Sequence, residues 1–474
     1  MAFSQNARSA QHSASRTTQK CASCVQSVLS YILRIGFDDT DSPHGMCTTF
    51  LAYKMVSKLK RMGAEFLDFP WLVRFNPNIP WKTRGNGAVS LAVRTNNADR
   101  VESSLTKMLE QYSDTEHGAN PGIVFLQGSV PEELHSLADL ALWRLVRRSD
   151  IRKILERCSI AHSFFGNGQG LVGAAGAIGY SFADHTMELL GYRAKRMFGK
   201  KRNVSSASVR AMQEAHPQTF NSYDSQSGRV MIAPAGPDPV LYGIRGENPQ
   251  SLLSASAMLQ AGESPVGYLM FRSNQGTGDH LRHTLNPSDL RAYDSGTVSG
   301  VITSCPVMGR GGDIFFILYV QNHSIHCAVY KETGLTGTAR HLAAGDIVKI
   351  GGGIRRASLL HPRTLNVEFL RIIKLARHIR TVNPMCPRCS KRMKSKGKSQ
   401  GYRCAICGKR AEHKTAEQVP RSIKSKLYIP IPGAHRHLTR PQKRLGTLNH
   451  VSFDAQMPWF YERNADVLKN AARH

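Results

Sequence analysis

The 474-residue chain predicts a multidomain protein in which two mixed α/β units lead into a small β-barrel of the OB-fold type and then a zinc ribbon. Three observations carry that reading. Hydrophobic periodicity alternates between strand-like and helix-like stretches as far as about residue 291. Five short β-rich runs with glycines between them then fill 296–376. Two Cys-x2-Cys pairs follow, with fourteen residues separating them.

The first unit, 31–163, opens on an apolar run from Tyr31 to Phe37 that reads as a buried strand and ends in Asp38, Asp39 and Asp41. A Ser42-Pro43-His44-Gly45 turn follows, and Cys47-Thr48-Thr49 opens a helical pattern with apolar residues at Phe50, Leu51, Met55, Val56 and Leu59. Ala64–Val73 and Ala88–Arg94 predict strands, the second after a Gly85-Asn86-Gly87 turn. Arg100–Tyr112 and Glu132–Leu145 predict amphipathic helices on either side of a short strand at Ile123–Leu126. In the second unit, 164–295, Leu241–Ile244 and Val266–Arg272 predict strands. Asn248-Pro249 supplies an N-cap and an N1 proline for a helix over Gln250–Gln260. Barrel strands are expected at Val298–Ile302, Ile314–Val320, His326–Tyr330, Ile347–Ile350 and Leu365–Ile373. The ribbon occupies 377–415, and 416–474 is expected as a basic C-terminal tail.

Composition narrows the partners. Sixty-three Lys+Arg against 34 Asp+Glu give a net charge of +29, a field that attracts polyanions and makes nucleic acid the first partner to consider. No apolar run approaches the roughly 18 residues of a spanning helix, Gly170 to Tyr180 being the longest candidate, so no membrane partner is expected. Four of the ten cysteines have metal spacing and the others are scattered, which suits a reducing cytoplasm rather than a secreted disulfide framework. Residues 1–30 carry no Asp or Glu and read as a disordered basic extension. Cys21 and Cys24 within it lack a second ligand pair, so no metal role is expected there.

The densest chemistry sits after the first strand. Carboxylates at Asp38, Asp39 and Asp41 suit hard Mg²⁺, while amide N–H groups and hydroxyls at a helix start suit phosphate, which places Gly45, Cys47, Thr48 and Thr49 beside a nucleotide. An Asp/Ser-rich turn that only caps a helix is the bland alternative. Cys47 reads as a packed small residue. The loop around Asn76-Pro77-Asn78-Ile79-Pro80-Trp81 carries Lys82 and Arg84 as candidate RNA contacts, a rigid connector being the alternative. Cys386, Cys389, Cys404 and Cys407 supply four thiolates for a structural Zn²⁺. Lys394, Lys396 and Arg403 crowd the intervening hairpin and are expected on phosphate.

The string Gly36-Phe37-Asp38-Asp39-Thr40-Asp41-Ser42-Pro43-His44-Gly45-Met46-Cys47-Thr48-Thr49 resembles the N-terminal signature of the archaeal tRNA-isoleucine 2-agmatinylcytidine (agmatidine) synthetases, with Phe37 where relatives commonly carry Ile. Leu72 to Gly87, Gly170-Leu171-Val172-Gly173, Gly243-Ile244-Arg245-Gly246-Glu247, Arg272 to Thr277 and Arg436 to Pro441 follow in the family's order. The resemblance implies a Thr-Cys kinase-like catalytic domain over 31–163 and a ferredoxin-like α+β unit over 164–295. It implies an ATP-dependent ligase that conjugates agmatine to the wobble cytidine of the isoleucine tRNA with a CAU anticodon, so that AUA is decoded. ATP would activate the cytosine ring carbonyl by phosphorylation. Asp38, Asp39, Asp41 and Thr48 would be catalytic, Thr48 matching the phosphorylated threonine of the family. No carboxylate is assigned to agmatine; Glu247 and Asp279 lie near matched blocks. A non-catalytic RNA-binding protein, or a tRNA-modifying enzyme using another amine, are the alternatives. Oligomeric state is not read from the sequence.

Overall fold

The computed structural model describes residues 30–359 and 361–463, so the expected extension up to residue 29, with Cys21 and Cys24, lies outside the described residues, as does 464–474. The first stretch forms β1 (Tyr31–Asp38), α1 (Thr48–Arg61), β2 (Glu65–Phe66), β3 (Trp71–Arg74), β4 (Gly87–Thr95), α2 (Ala98–Tyr112), β5 (Gly122–Gln127), α3 (Glu132–Trp143), α4 (Arg148–Arg157) and β6 (Ala161–Phe164). The expected strand over Ala64–Val73 breaks in two. Asp68 accepts hydrogen bonds from Phe69 N (2.8 Å) and Trp71 Nε1 (2.9 Å), and Pro70 has no N–H to donate to a ladder. Helix α4 went unread; Ile151 and Leu155 are its buried residues, and Ile154 packs partly buried beside them.

The next stretch forms α5 (Gly170–Gly179), β7 (Thr186–Tyr192), α6 (Ser206–Ala215), a hairpin of β8 (Tyr223–Asp224) and β9 (Arg229–Val230), β10 (Val240–Gly246), α7 (Pro249–Ala257) and β11 (Gly267–Ser273). Asn248 caps α7 by accepting from Ser251 N (3.1 Å), with Pro249 at N1. Strand β11 pairs in parallel with β3 (Arg272↔Trp71, Ser273↔Leu72), so both α/β stretches share one sheet in the order β10-β7-β11-β3-β4-β1-β5-β6. The Gly/Ala-rich run became α5, buried against β1 and β5. Its small residues let the backbones touch, and a Cβ on Gly36 would collide with the Ala174 carbonyl.

The barrel contains β12 (Ser295–Ile302), β13 (Val307–Met308), β14 (Ile314–Val320), β15 (His323–Val329), α8 (Thr336–Ala339), β16 (Ile347–Arg355) and β17 (Thr364–Lys374). Five of its strands run β12-β16-β17-β15-β14, and the pairs Val301↔Tyr319 and Ile302↔Leu318 close β14 onto β12. Val298, Phe316, Leu318, Val348, Ile350, Leu365 and Leu370 fill its core. The ribbon contributes β18 (Ile379–Val382), β19 (Lys394–Ser395), β20 (Tyr402–Arg403), β21 (Arg410–Ala411) and β22 (Thr415–Gln418).

The segment from 416 to 463 is not a trailing tail. After the ribbon, β23 (Leu427–Tyr428) pairs with β17 and β24 (Phe460–Glu462) pairs with β11, so the chain returns across the barrel to the large sheet. Its cations find internal carboxylates: Arg444, 1% exposed, bonds Asp184 and Glu247, and Trp459 joins the main core.

Candidate active site

Strand β1 delivers its carboxylates to the wall of a cavity of about 390 Å³ lined by Asp38, Asp39, Asp41, Cys47, Thr48 and Thr49 together with the 79–87 loop. Burial lifts Asp38 well above its ordinary value, and the Asp39 charge adds to the effect. Burial likewise lifts Asp39 and Asp41 to about 6, with the Asp41 charge contributing at Asp39. Burial and like charge both penalise the ionised form of these carboxylates. Gly173 gives Asp38 its room, since a Cβ there would collide with the Asp38 carboxylate. This explains why a Gly-x-x-Gly block so distant in sequence belongs with the acidic turn. Asp39 and Met46 hold left-handed φ values of 58° and 59°, strained for non-glycine residues.

Helix α1 starts at this wall. Cys47 occupies its N-cap in extended conformation without a side-chain cap, and no acidic residue lies in the first turn. The Thr48 and Thr49 N–H groups therefore have no helical acceptor, and the positive end of the helix dipole opens toward the cavity wall. Thr48 is buried and its Oγ1 accepts from Thr40 Oγ1 (3.1 Å). The Cys47 thiol, 3.1 Å from Thr49 Oγ1, is pushed up to about 11 by burial and then by Asp238 and Asp41, which keeps it protonated. Gly45 closes the turn through reciprocal backbone bonds with Ser42 and does not line the cavity.

The Arg84 side chain clamps the turn, donating to Asp41 Oδ2 (2.8 Å), Met46 O (2.8 Å) and Ser42 O (3.2 Å). That places it on the acidic loop, where sequence alone suggested RNA. Lys82 lines the cavity and is exposed, its ammonium pKa lowered by partial burial and by Arg436. Arg74 and Arg245, which line the same cavity, flank the buried Glu188 at 3.3 and 3.2 Å, and the Arg74 charge also acts on Asp38 and Asp41. The Gln275 amide, oriented to satisfy its neighbours, donates to Glu188 (3.0 Å) and accepts from Arg245 (2.9 Å). His437 lines the same wall, held well below its ordinary value by the Arg74 charge, then burial, then Arg245.

Sequence reasoning missed Glu188, Asp238 and the role of His437. Glu188 left a signal, being the only acidic residue in the wholly buried strand Thr186–Tyr192. Asp238, buried beside Arg202 (3.2 Å), left none. Glu247 and Asp279 do not line the cavity: Arg444 and Asn449 hold the first, Tyr180 and Arg282 (2.6 Å) the second.

In the ribbon the four cysteine Sγ atoms lie within 4.8 Å of one another. Zinc–sulfur bonds of about 2.3 Å in a tetrahedron put sulfurs about 3.8 Å apart, so the knuckles fit a structural Zn²⁺ held by Cys386, Cys389, Cys404 and Cys407. Amide N–H groups of Cys407 and Ile406 hold the Cys404 thiol down to about 6, favouring the ligand form. Lys394 faces Arg403 across β19–β20, and both are exposed, as is Lys396; none of the three lines the cavity.

Known proteins resemble this chain in sequence and in fold. Family models described as the TiaS TCKD domain, the TiaS FLD domain and the TiaS C-terminal zinc ribbon domain match residues 34–98, 168–280 and 383–423. The isoleucine-tRNA 2-agmatinylcytidine synthetase TiaS of Cenarchaeum symbiosum is 48% identical over 90% of this chain and 96% of its own. That of Thermofilum pendens is 38% identical over 87% and 95%. A crystal structure of apo TiaS superposes with a TM-score of 0.80 at 32% identity, covering 89% of this chain and 99% of that one. A complex of TiaS with its isoleucine tRNA, AMPCPP and agmatine superposes at 0.77 and 30% identity, covering 90% and 100%. The chain belongs to the isoleucine-tRNA 2-agmatinylcytidine synthetase family.

Proposed function

We propose that this protein is an ATP-dependent ligase that joins agmatine to the wobble cytidine of an isoleucine tRNA with a CAU anticodon, forming 2-agmatinylcytidine. The observation that carries the reading is the cavity that an acidic turn, a helix N-terminus without a side-chain cap, and the guanidinium groups of Arg74 and Arg245 line together. Crystal structures of relatives with the isoleucine tRNA and ATP, and with that tRNA, an ATP analogue and agmatine, support it at 32% and 30% identity.

The ring carbonyl oxygen of cytosine is a poor leaving group and needs activation before an amine can replace it. Transfer of the γ-phosphoryl group of ATP forms an oxygen–phosphorus bond at that oxygen as its phosphoanhydride bond breaks, the bridging oxygen leaving with the rest of the nucleotide. The amine then forms the carbon–nitrogen bond as the carbon–oxygen bond breaks, the oxygen departs with phosphate, and the amine loses a proton. In this scheme Asp38, Asp39 and Asp41 would hold Mg²⁺, which supplies charge neutralisation at the triphosphate. The Thr48 and Thr49 amides cradle phosphate at the start of α1. Thr48, which lines the same cavity and whose Oγ1 accepts from Thr40, is the candidate for phosphorylation. Arg74 and Arg245 offset developing negative charge. Lys394, Lys396 and Arg403 would carry phosphodiester contacts on the ribbon, and the barrel the remaining RNA surface. No helix among the described residues is long and apolar enough to cross a membrane, and a cytoplasmic setting suits a tRNA substrate.

Incubating protein, tRNA transcript, ATP and agmatine, then digesting to nucleosides for mass spectrometry, tests the proposal. Agmatinylcytidine should form only in the complete mixture. Unmodified cytidine would reject the activity, and an adduct formed with a different amine would reject agmatine as the substrate.

A further inference from the structure

Trp81 is 62% exposed, although indole is the largest apolar side chain available. Trp71 and Trp143 are half-buried, and Trp459 is 3% exposed in the core. Trp81 lines the cavity, and its exposure places it at the mouth.

Its loop is held in place rather than slack. Asn76, fully buried, donates to Tyr293 O (2.8 Å) and accepts from Asn78 N (3.0 Å) and Ser295 Oγ (2.8 Å). Asn78 donates to Ser295 Oγ (2.7 Å) and accepts from Arg436 (2.6 Å), which also pairs with Glu368 of β17 at 3.2 Å. On the other flank Asn86 donates to Asn76 O (2.8 Å). Ser295 begins β12 and Glu368 lies in β17, so the barrel itself sets where the indole stands. A fixed apolar face left in water is stabilised by whatever covers it, and the neighbours identify the occupant. Lys82 follows in sequence and is exposed, and Arg436 acts electrostatically on it. A cationic rim around an open aromatic face suits a flat base carried on a phosphodiester chain, and disfavours a greasy protein partner.

We propose that Trp81 is the stacking platform for the RNA base entering the cavity, positioned by the Asn78–Arg436–Glu368 clamp. The ring lies edge-on to Tyr293, just ahead of β12, with centroids 6.3 Å apart, whereas the acidic turn and the start of α1 are the features that suit a triphosphate. The stacked base is therefore one of RNA rather than the adenine of ATP. The proposal rests on the functional reading above, but part of its test does not require turnover.

Tryptophan emission is followed while wild-type protein is titrated with tRNA bearing cytidine at the wobble position, with the same tRNA abasic there, and with ATP alone. Trp81→Phe serves as the reference that isolates this ring's signal. Quenching by the first ligand only is expected. Equal quenching by the abasic tRNA, quenching by ATP alone, or none would overturn the proposal. In turnover, Trp81→Ala should lower kcat/KM for tRNA about ten- to a hundredfold, the range of one lost base–aromatic stack, and Trp81→Phe should restore most of it. Wild-type kcat/KM in Trp81→Ala would also overturn it. If wild-type protein forms no agmatinylcytidine, the functional reading fails, and the abasic comparison still decides whether a base stacks here.

Discussion

Replacing Asp39 by asparagine is expected to stabilise the ligand-free protein and, at the same time, to abolish nucleotide turnover. Burial first, and then the Asp41 charge, raise Asp39 from an ordinary 3.8 to about 6. The folded state thus favours the protonated acid, and holding the charged form costs folding free energy. At about 1.4 kcal/mol per pKa unit the cost is bounded near 3 kcal/mol; local relaxation leaves an expectation of about 1–3 kcal/mol. Because the folded value exceeds the unfolded one, the folded state binds more protons in between. Stability from this group is present below about 3.8 and is lost as pH rises through about 6. Asparagine carries no charge at any pH. The variant should therefore unfold at a higher temperature than wild type above pH 6, and its stability should vary less between the two values. Metal binding runs the other way, since the carboxylate is the ligand: wild-type affinity for Mg·ATP should rise through pH 6 and the variant should lose it. Thermal unfolding of both proteins below and above this window, without nucleotide and with Mg·ATP, measures each effect. A variant less stable than wild type above pH 6, or one that still turns over ATP at the wild-type rate, would refute the reasoning.

Gly173→Ala should destabilise the fold by about 1–3 kcal/mol and depress turnover further than that loss explains, because the new methyl displaces the Asp38 carboxylate; chemical denaturation paired with kcat would check it. Thr48→Ala should abolish autophosphorylation, and a phosphopeptide mapped to any other residue in wild-type protein would refute the assignment. Cys404→Ser, or chelation, should release one zinc per chain and reduce tRNA affinity more than ATP affinity, whereas metal analysis of the purified protein finding no zinc would defeat the prediction. Ending the chain before Arg436 removes Arg440 and Arg444 from Asp184, along with Trp459 and β24, and a buried carboxylate stripped of its partners costs about 3–5 kcal/mol. Such a fragment should be insoluble or unfolded, as should one ending near Arg291, and a soluble fragment that binds ATP would show that the returning segment is dispensable.

The acidic turn, the start of α1, the five barrel strands and the cysteine knuckles were legible in the sequence because each is a local pattern. A strand ending in carboxylates, an alternating run or a Cys-x2-Cys spacing is written within a dozen residues, and short-range physics suffices to interpret it. The ferredoxin-like label and the chemistry of the reaction came from family resemblance. Tertiary structure decided what long-range pairing alone creates. Nothing local in Gly170 to Gly173 says that its missing side chains make room for Asp38, and nothing in Arg84 distinguishes a clamp on Asp41 from a hand for RNA. The parallel contact of β11 with β3 merges two stretches that periodicity could only count separately. The basic C-terminal stretch reads as a solvated tail until Asp184 and Glu247, 260 and 197 residues earlier, are seen to bury Arg444. A guanidinium is interior or exposed according to whether a carboxylate meets it, and where two distant segments meet is settled by packing of the whole chain rather than by either segment alone.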